Sequence, residues 1–77
     1  MKITLRILGH LRDVYFEGKD LLEVEVNKPL TLLEILNKIN LPPTMAMAYL
    51  KEGKPINKET ILEGGEEIII LSPLSGG

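Results

Sequence analysis

Only one segment of the chain has the periodicity of an amphipathic helix, and it lies between segments that alternate as strands do. Thr31 begins it and Glu34 follows three residues later, so hydroxyl and carboxylate can satisfy exposed backbone N–H groups reciprocally. Behind this capping box the apolar residues recur at helical spacing, as Leu32, Ile35, Leu36 and Ile39. The stripe predicts a helix of about nine residues, ended by Leu41, Pro42 and Pro43. A chain with a single such helix must build the rest of its core from strands.

The segments around the helix carry the period of two that is typical of half-buried strands. Residues 2–8 place Ile, Leu and Ile on one side and Lys, Thr and Arg on the other, and residues 22–27 repeat this alternation. We expect a third strand over residues 46–51. After a turn at residues 52–54, residues 55–56 return as a short edge segment, where a proline is tolerated.

The last strand is apolar on both faces. It follows the turn at residues 63–65 and runs through residues 68–71. A strand of this kind lies centrally, with the helix on one face, and something must cover or bind the other. We expect Ile69 and Leu71 to contact a partner protein there. A second small cluster under the loops is the alternative.

The order strand, strand, helix, strand, short strand, strand fits an α+β roll of the ubiquitin-like β-grasp kind. We expect a mixed sheet of four to five strands packed on one main helix, with the first and last strands as central neighbours. Residues 1–77 then form a single domain whose flexible tail, residues 72–77, leaves the middle of the sheet. Extended at ~3.3 to 3.6 Å per residue, this tail reaches about 20 Å, enough to enter a partner's active site.

Composition excludes several classes of protein. Nine basic and eleven acidic residues give a formal charge of −2 without a long run of like charge, so we expect no nucleic-acid partner. The lack of cysteine removes disulfides and thiolate sites and is compatible with a reducing cytoplasm. The apolar runs are too short to span a bilayer, and the first residues alternate where a signal peptide would be continuously apolar. We therefore expect a cytoplasmic protein with an aliphatic core and no membrane partner.

The sequence ends in two glycines, Gly76 and Gly77. Without Cβ atoms, such a tail can thread a narrow cleft and present its terminal carboxylate to another enzyme. At glycine's average frequency of ~7 %, a terminal pair arises by chance in about one chain in two hundred. Frayed ends and cloning scars also end in glycine, so the dipeptide alone leaves a working tail and an inert one open.

Two longer motifs point to a known family. The first is Leu62, a polar turn, Gly65, Glu66, Glu67, a hydrophobic strand and the ending Pro73, Leu74, Ser75, Gly76, Gly77. The second, after the first strand, is Leu8, Gly9, His10, Leu11, Arg12, Asp13. Together they resemble the MoaD family, the small subunits of molybdopterin synthase among the ubiquitin-like sulfur carriers. The ThiS-like carriers of the thiazole pathway usually lack the second motif. Departures from the family pattern are Ser72 in place of a first proline, Leu71 in place of an aromatic residue, and residues 51–53 in place of a Val-Asn turn.

The resemblance implies a carrier that catalyses nothing itself and holds no permanent cofactor. A separate ubiquitin-activating-like enzyme would adenylate Gly77 with ATP, and a sulfur donor protein would convert the adenylate to a thiocarboxylate. The large catalytic subunit of molybdopterin synthase would then take up the tail, in an expected heterotetramer, and pass the sulfur to a pyranopterin precursor. In the tail, Gly76 keeps the threaded chain narrow, Pro73 stiffens the exit and Leu74 contacts the partner, while Ser75 enters the active site with them.

Three alternatives stay open at this point. The chain could supply sulfur to another pathway, such as thiazole or thiolated nucleosides. It could be a protein modifier that joins Gly77 to target lysines, as small archaeal modifiers resembling this family do. It could also be a plain interaction domain with an inert tail, in which case deleting Gly76 and Gly77 changes nothing.

The remaining polar residues are interpreted as surface chemistry. His10 is a lone ring on a loop and receives no role. Arg12 and Asp13 form at most a surface salt bridge or contact the activating enzyme. The acidic cluster of Glu63, Glu66 and Glu67 lacks a histidine or further carboxylate and is interpreted as a solvated turn, so no metal site is expected. Three further residues make a mildly basic edge, namely Lys51, Lys54 and Lys58.

Overall fold

Seven short strands and one α-helix make up the described part of the chain. The structure, a computed structural model, describes residues 1–8 and 20–72. In chain order the elements are β1 (Lys2–Leu8), β2 (Leu21–Glu25), β3 (Leu30–Thr31), α1 (Leu32–Lys38), a 3₁₀ turn (Pro43–Met45), β4 (Ala48–Lys51), β5 (Lys54–Ile56), β6 (Ile61–Leu62) and β7 (Glu67–Leu71).

The main sheet is mixed and has β7 at its centre. Its five strands follow the order β2-β1-β7-β4-β5. β1 and β7 run parallel, with Leu5 opposite Ile68 and Ile7 opposite Ile70, and the other neighbours are antiparallel. The predicted central pairing of the first and last strands is therefore confirmed. β5, which contains Pro55, is an edge strand as predicted.

One face of this sheet packs against α1 in an aliphatic core. Alternation puts every second residue of β1 and β7 on this face, and these side chains are fully buried. The core consists of Ile3, Leu5, Ile7, Val24, Val26, Leu30, Leu32, Ile35, Leu36, Leu41, Tyr49, Leu62, Ile68 and Ile70. Ile39, the last residue of the predicted helical stripe, is partly buried against it.

The helix begins where the sequence predicts. The backbone N–H of Glu34 donates to Thr31 Oγ1 at 3.2 Å, and the backbone N–H of Thr31 donates to Glu34 Oε1 at 2.9 Å. These hydrogen bonds from Thr31 hold the pKa of the Glu34 carboxyl below its ordinary value. The predicted capping box is therefore present, and its two local bonds set the first residue of α1.

The helix ends earlier than predicted, at Lys38, and is seven residues long. Asn40 adopts the left-handed conformation, with φ of 61°. Its N–H donates to the Asn37 carbonyl at 3.2 Å, and the Leu41 N–H donates to the Leu36 carbonyl at 3.0 Å. This is a Schellman motif, which satisfies the last carbonyls of the helix before the two prolines are reached.

Two further details differ from the sequence-based expectation. The third strand begins at Ala48, not at residue 46, because the N–H groups of Met45 and Ala46 bond back to the carbonyls of Pro42 and Pro43. A second, two-stranded sheet of β3 and β6 was not predicted. It pairs Leu30 with Leu62, and strands of two residues are too short to show a period.

Candidate functional site

The chain leaves the main sheet at the edge where its central strands end. β1 and β7 run parallel, so Leu8 and Leu71 lie side by side at their carboxyl ends. The antiparallel strands β2 and β4 begin at this same edge, where Ala48 is paired with Leu71. We call this the tail-exit edge. The polypeptide after Ser72 therefore starts from the middle of the sheet, as the sequence predicted.

Ser72, the first residue of the predicted tail, is held by the domain. It is only 7 % exposed, and its Oγ donates to the Leu8 carbonyl at 2.9 Å. On the other side of β7, the Met47 N–H donates to the Leu71 carbonyl at 2.7 Å. The end of β7 is thus hydrogen-bonded to β1 on one side and to the residue before β4 on the other, and this fixes the position of Ser72.

The predicted reactive residues lie outside the described residues. This applies to Pro73, Leu74, Ser75, Gly76 and Gly77, and it applies equally to Gly9, His10, Leu11, Arg12 and Asp13 of the second motif. Their predicted roles stay predictions. Of the second motif only Leu8 is described, at the end of β1.

The two predicted interface residues lie together on the sheet face that is opposite the core. Ile69 and Leu71 alternate with the buried Ile68 and Ile70, and both are half-buried. The registers of the neighbouring strands place further apolar side chains on this face. The resulting outer apolar patch consists of Leu8, Leu21, Ala48, Leu50, Ile69 and Leu71. Leu8 and Leu21 are the most exposed of these, at 39 % and 46 %.

The outer face of the sheet is apolar next to the tail-exit edge and carries charged side chains further from it. Next to the edge, the register aligns Leu8, Leu71 and Ala48. In the next outward-facing row, the register puts Arg6 between Leu21 and Ile69, and Arg6 Nε forms an exposed ion pair with Glu67 Oε2 at 2.9 Å. An apolar surface with a polar border is the usual composition of a protein contact, and here the apolar part adjoins the exit of the tail.

The acidic turn between β6 and β7 has a structural role. Glu66 accepts hydrogen bonds from the backbone N–H groups of Glu63 at 2.8 Å and Gly64 at 2.6 Å. Gly64 and Gly65 have φ of 123° and 88°, a region that favours glycine, and the Gly65 N–H donates to the Lys2 carbonyl at 2.6 Å. The Gly-Glu motif therefore ties the start of β7 to the start of β1.

The electrostatics of Glu66 fit this role. Burial by itself raises the pKa of its carboxyl, but the backbone N–H groups of Glu63 and Gly64 and the nearby Lys51 ammonium outweigh burial, so the pKa lies below its ordinary value. Lys51 Nζ is 3.9 Å from Glu66 Oε2. The Glu66 carboxylate is thus engaged by backbone N–H groups and the Glu67 carboxylate by Arg6. Residues 1–8 and 20–72 hold no group of three or more metal-ligating side chains suited to a metal ion.

The basic edge is only partly assembled. Lys51 faces Glu66, whereas Lys54 and Lys58 are exposed.

Within residues 1–8 and 20–72, no helix has the length and apolar character needed to cross a bilayer.

Two features of this region were missed by sequence reasoning. The clamp from Ser72 to Leu8 has no local signal, because its partners are far apart in the sequence. The contribution of Leu21 and Leu50 to the outer face could have been suspected from strand alternation. Leu21 neighbours Leu22, which packs against the core, and Leu50 neighbours Tyr49, which lies in it.

Comparison with solved structures finds proteins of similar fold but low sequence identity. SAMP1, a small archaeal modifier protein from Haloferax volcanii, superposes with a TM-score of 0.76 at 18 % identity, over 100 % of both chains. A putative molybdopterin converting factor subunit 1 from Pyrococcus furiosus gives a TM-score of 0.72 at 12 % identity, covering 96 % of this chain and 99 % of that one. A complex of subunits 1 and 2 of the molybdopterin-converting factor from Helicobacter pylori gives a TM-score of 0.64 at 20 % identity, over 100 % of both chains.

The comparisons establish the fold. No protein-family model matches the sequence, and no curated protein sequence matches it significantly. The structural likeness nevertheless spans nearly the whole of this chain and of each similar protein. The protein therefore has the ubiquitin-like β-grasp fold that SAMP1 and the MoaD-like subunits of molybdopterin converting factor share, and the predicted fold class is confirmed.

Proposed function

We propose that the protein is a cytoplasmic sulfur carrier, the small subunit of a molybdopterin synthase, and that the carboxylate of Gly77 carries the sulfur. The observation that carries the proposal is the full-length structural similarity to two molybdopterin converting factor subunits, combined with an exit of the chain from the central strand. The motif that runs from Leu62 to Gly77 supports the same assignment.

The proposed chemistry needs an activated carboxylate, because the charge and resonance of a free carboxylate repel nucleophiles. One oxygen of Gly77 attacks the α-phosphorus of ATP on an activating enzyme, and pyrophosphate leaves. A sulfur donor then attacks the acyl carbon, and AMP leaves. With a persulfide as the donor, a thiol then attacks the donor's inner sulfur: the S–S bond breaks, the thiol and the donor form a disulfide, and a thiocarboxylate leaves. Its sulfur is a far better nucleophile than the original oxygen.

The domain's part in this chemistry is to present the tail from a fixed point. Because Ser72 is hydrogen-bonded to β1, five residues, 73–77, follow the anchored end of β7. Fully extended, these reach about 17 Å from the sheet, somewhat less than the tail expected from sequence. A tail anchored at one end replaces a bimolecular encounter in the partner's active site by a positioned one.

The proposed partners are an activating enzyme, a sulfur donor protein and the large catalytic subunit, with the last expected to form a heterotetramer. The Helicobacter pylori structure is a complex of subunits 1 and 2, which supports a large-subunit partner. We propose that the outer apolar patch, with Ile69 and Leu71 near its centre, contacts this partner. Its position beside the tail-exit edge lets a single partner bind the patch and take up the tail.

Intact mass tests the proposal. The mass of the isolated protein first establishes that Gly77 has a free carboxylate. The protein is then incubated with the host's activating enzyme, ATP and a sulfur donor, alongside a version that lacks Gly76 and Gly77. A mass gain equal to sulfur replacing one oxygen, confined to the full-length chain, is expected. Equal masses before and after incubation would refute the carrier function.

A second candidate function is protein modification through Gly77. The similarity to SAMP1, a small archaeal modifier, specifically favours it. In this case the activated carboxylate would acylate lysine amines of other proteins. Host extract that contains tagged protein and ATP would then show conjugates on a denaturing gel, and the version without Gly76 and Gly77 would show none. Thiocarboxylate without conjugates favours the carrier, and conjugates without thiocarboxylate favour the modifier.

A further inference from the structure

Two exposed methionines border the tail-exit edge. Met45, in the 3₁₀ turn, is 43 % exposed, and Met47 is 64 % exposed. The Met47 N–H binds the Leu71 carbonyl at 2.7 Å, and the next residue, Ala48, pairs with Leu71 in the sheet. Both exposed thioethers therefore belong to the segment that is hydrogen-bonded to the end of β7, directly beside the tail-exit edge.

An enzyme that acts on Gly77 must approach the tail-exit edge. Residues 73–77 reach about 17 Å beyond Ser72 even when fully extended. An active site recessed in a protein surface can reach Gly77 only if that surface approaches the place where the chain leaves the sheet. This step rests on the proposed function, and it holds for the carrier and the modifier alike, because both begin with activation of the same carboxylate.

We infer that Met45 and Met47 form an oxidation-sensitive contact for the enzyme that activates Gly77. Exposed methionine is flexible and apolar, and suits contact with a partner surface. Its sulfur attacks the terminal oxygen of a peroxide, the O–O bond breaks, an S–O bond forms and water or an alcohol leaves. The sulfur is oxidised by two electrons and the peroxide is reduced. The sulfoxide is polar and opposes the loss of water at an apolar contact, so oxidation weakens docking without touching the tail.

The chain supplies its own internal control. It contains three methionines, and the third, Met1, is also exposed, at 63 %. Met1 lies at the opposite end of β1, beside Gly64. In a double variant with Met45→Leu and Met47→Leu, peroxide can oxidise Met1 alone. Leucine keeps an apolar side chain of similar size that peroxide does not oxidise.

The experiment measures ATP–pyrophosphate exchange by the host's activating enzyme as a function of carrier concentration. The carrier is measured untreated, and again after treatment with hydrogen peroxide and removal of the peroxide. Peptide mass spectrometry assigns each sulfoxide. The oxidised form of each protein is compared with its own untreated form, so any effect of the leucine substitutions on KM cancels. For the unsubstituted chain we expect the KM for the carrier to rise about tenfold with kcat unchanged, since a docking contact acts on binding. The double variant should show no change, although Met1 is oxidised.

Two results would overturn the inference. One is an unchanged KM when Met45 and Met47 are fully oxidised, and the other is the same rise in the double variant. In either case activation before treatment is normal, so the proposed function survives. Absence of any exchange before treatment would instead refute the proposed function, and this inference with it.

Discussion

Adjacent residues of β7 offer a direct test of the outer apolar patch. Ile69 lies on the outer face and is half-buried, whereas Ile70 lies on the core face and is fully buried. Replacing each by aspartate makes the same chemical change at neighbouring positions of one strand. Only the face of the sheet differs, so the pair separates loss of a partner contact from loss of the fold.

The two substitutions should have very different effects on stability. A domain of 77 residues is expected to be stable by about 4–12 kcal/mol. Ile70→Asp buries a carboxylate without a partner and should cost more than about 4 kcal/mol, which is comparable with the whole stability. Ile69→Asp keeps its carboxylate in contact with water, and Arg6 is its register neighbour on β1, so we expect a cost of about 1 kcal/mol.

Partner binding should be lost in Ile69→Asp even though this variant stays folded. Ile69→Asp leaves a folded domain but puts a charge in the proposed contact, and losing a contact worth about 2 kcal/mol weakens binding roughly thirtyfold. Urea unfolding followed by circular dichroism measures the free energy of unfolding, and titration with the host's large synthase subunit measures the dissociation constant. If Ile69→Asp binds as tightly as the unsubstituted chain, or loses binding only in proportion to its loss of stability, the patch is not the interface.

Three further predictions concern the fold around the site. Ser72→Ala leaves the Leu8 carbonyl without its donor and should cost about 1 kcal/mol, or ~4–8 °C in Tm by thermal unfolding, whereas Ser75→Ala should leave Tm unchanged; an unaltered Tm for both would contradict the clamp. Asn40→Val should cost about 1–2 kcal/mol in urea unfolding because a β-branched residue resists φ of 61°, and Asn40→Gly should be nearly neutral; equal costs would argue against the Schellman motif. The folded pKa of Glu66 lies below its ordinary value of 4.5, so its stabilising effect is present above that pH and is lost as the pH falls through the folded pKa. Glu66→Gln should be less stable than the unsubstituted chain at neutral pH and should lose less stability on acidification, and parallel pH profiles would refute this assignment.

Much of the fold could be predicted because its signals are local. The capping box of Thr31 and Glu34 involves residues three apart, and its geometry is observed. The alternation in β1 reflects one buried face, and all three predicted inward residues of that strand are fully buried. The predicted end of the helix was wrong because Asn40, in the left-handed conformation, ends α1 before the prolines. Asparagine signals this conformation less strongly than glycine does.

The site could be predicted only in part. Ile69 and Leu71 were identified from a strand with two apolar faces. The structure places them on one surface with Leu8, which the sequence had assigned to the end of the first strand and to the second motif, but not to a contact surface. The position of Ser72 was misjudged, because a serine before a proline and two glycines resembles the start of a loose tail. Its burial depends on a carbonyl in β1, at the other end of the chain.

Residue type and local spacing were enough to predict α1, the strands of the main sheet, an aliphatic core, and a glycine-rich end after an apolar strand. These properties follow from residue type and from spacings of two to four residues, which act through local hydrogen bonds and through one-sided burial. Only the packing of the strands against one another decided that β3 pairs with β6 and that the Ser72 hydroxyl binds the Leu8 carbonyl. It also decided that six apolar side chains from four strands form one surface at the exit of the tail. Such arrangements depend on contacts between residues distant in sequence, and the sequence pattern of each strand alone does not specify its partner.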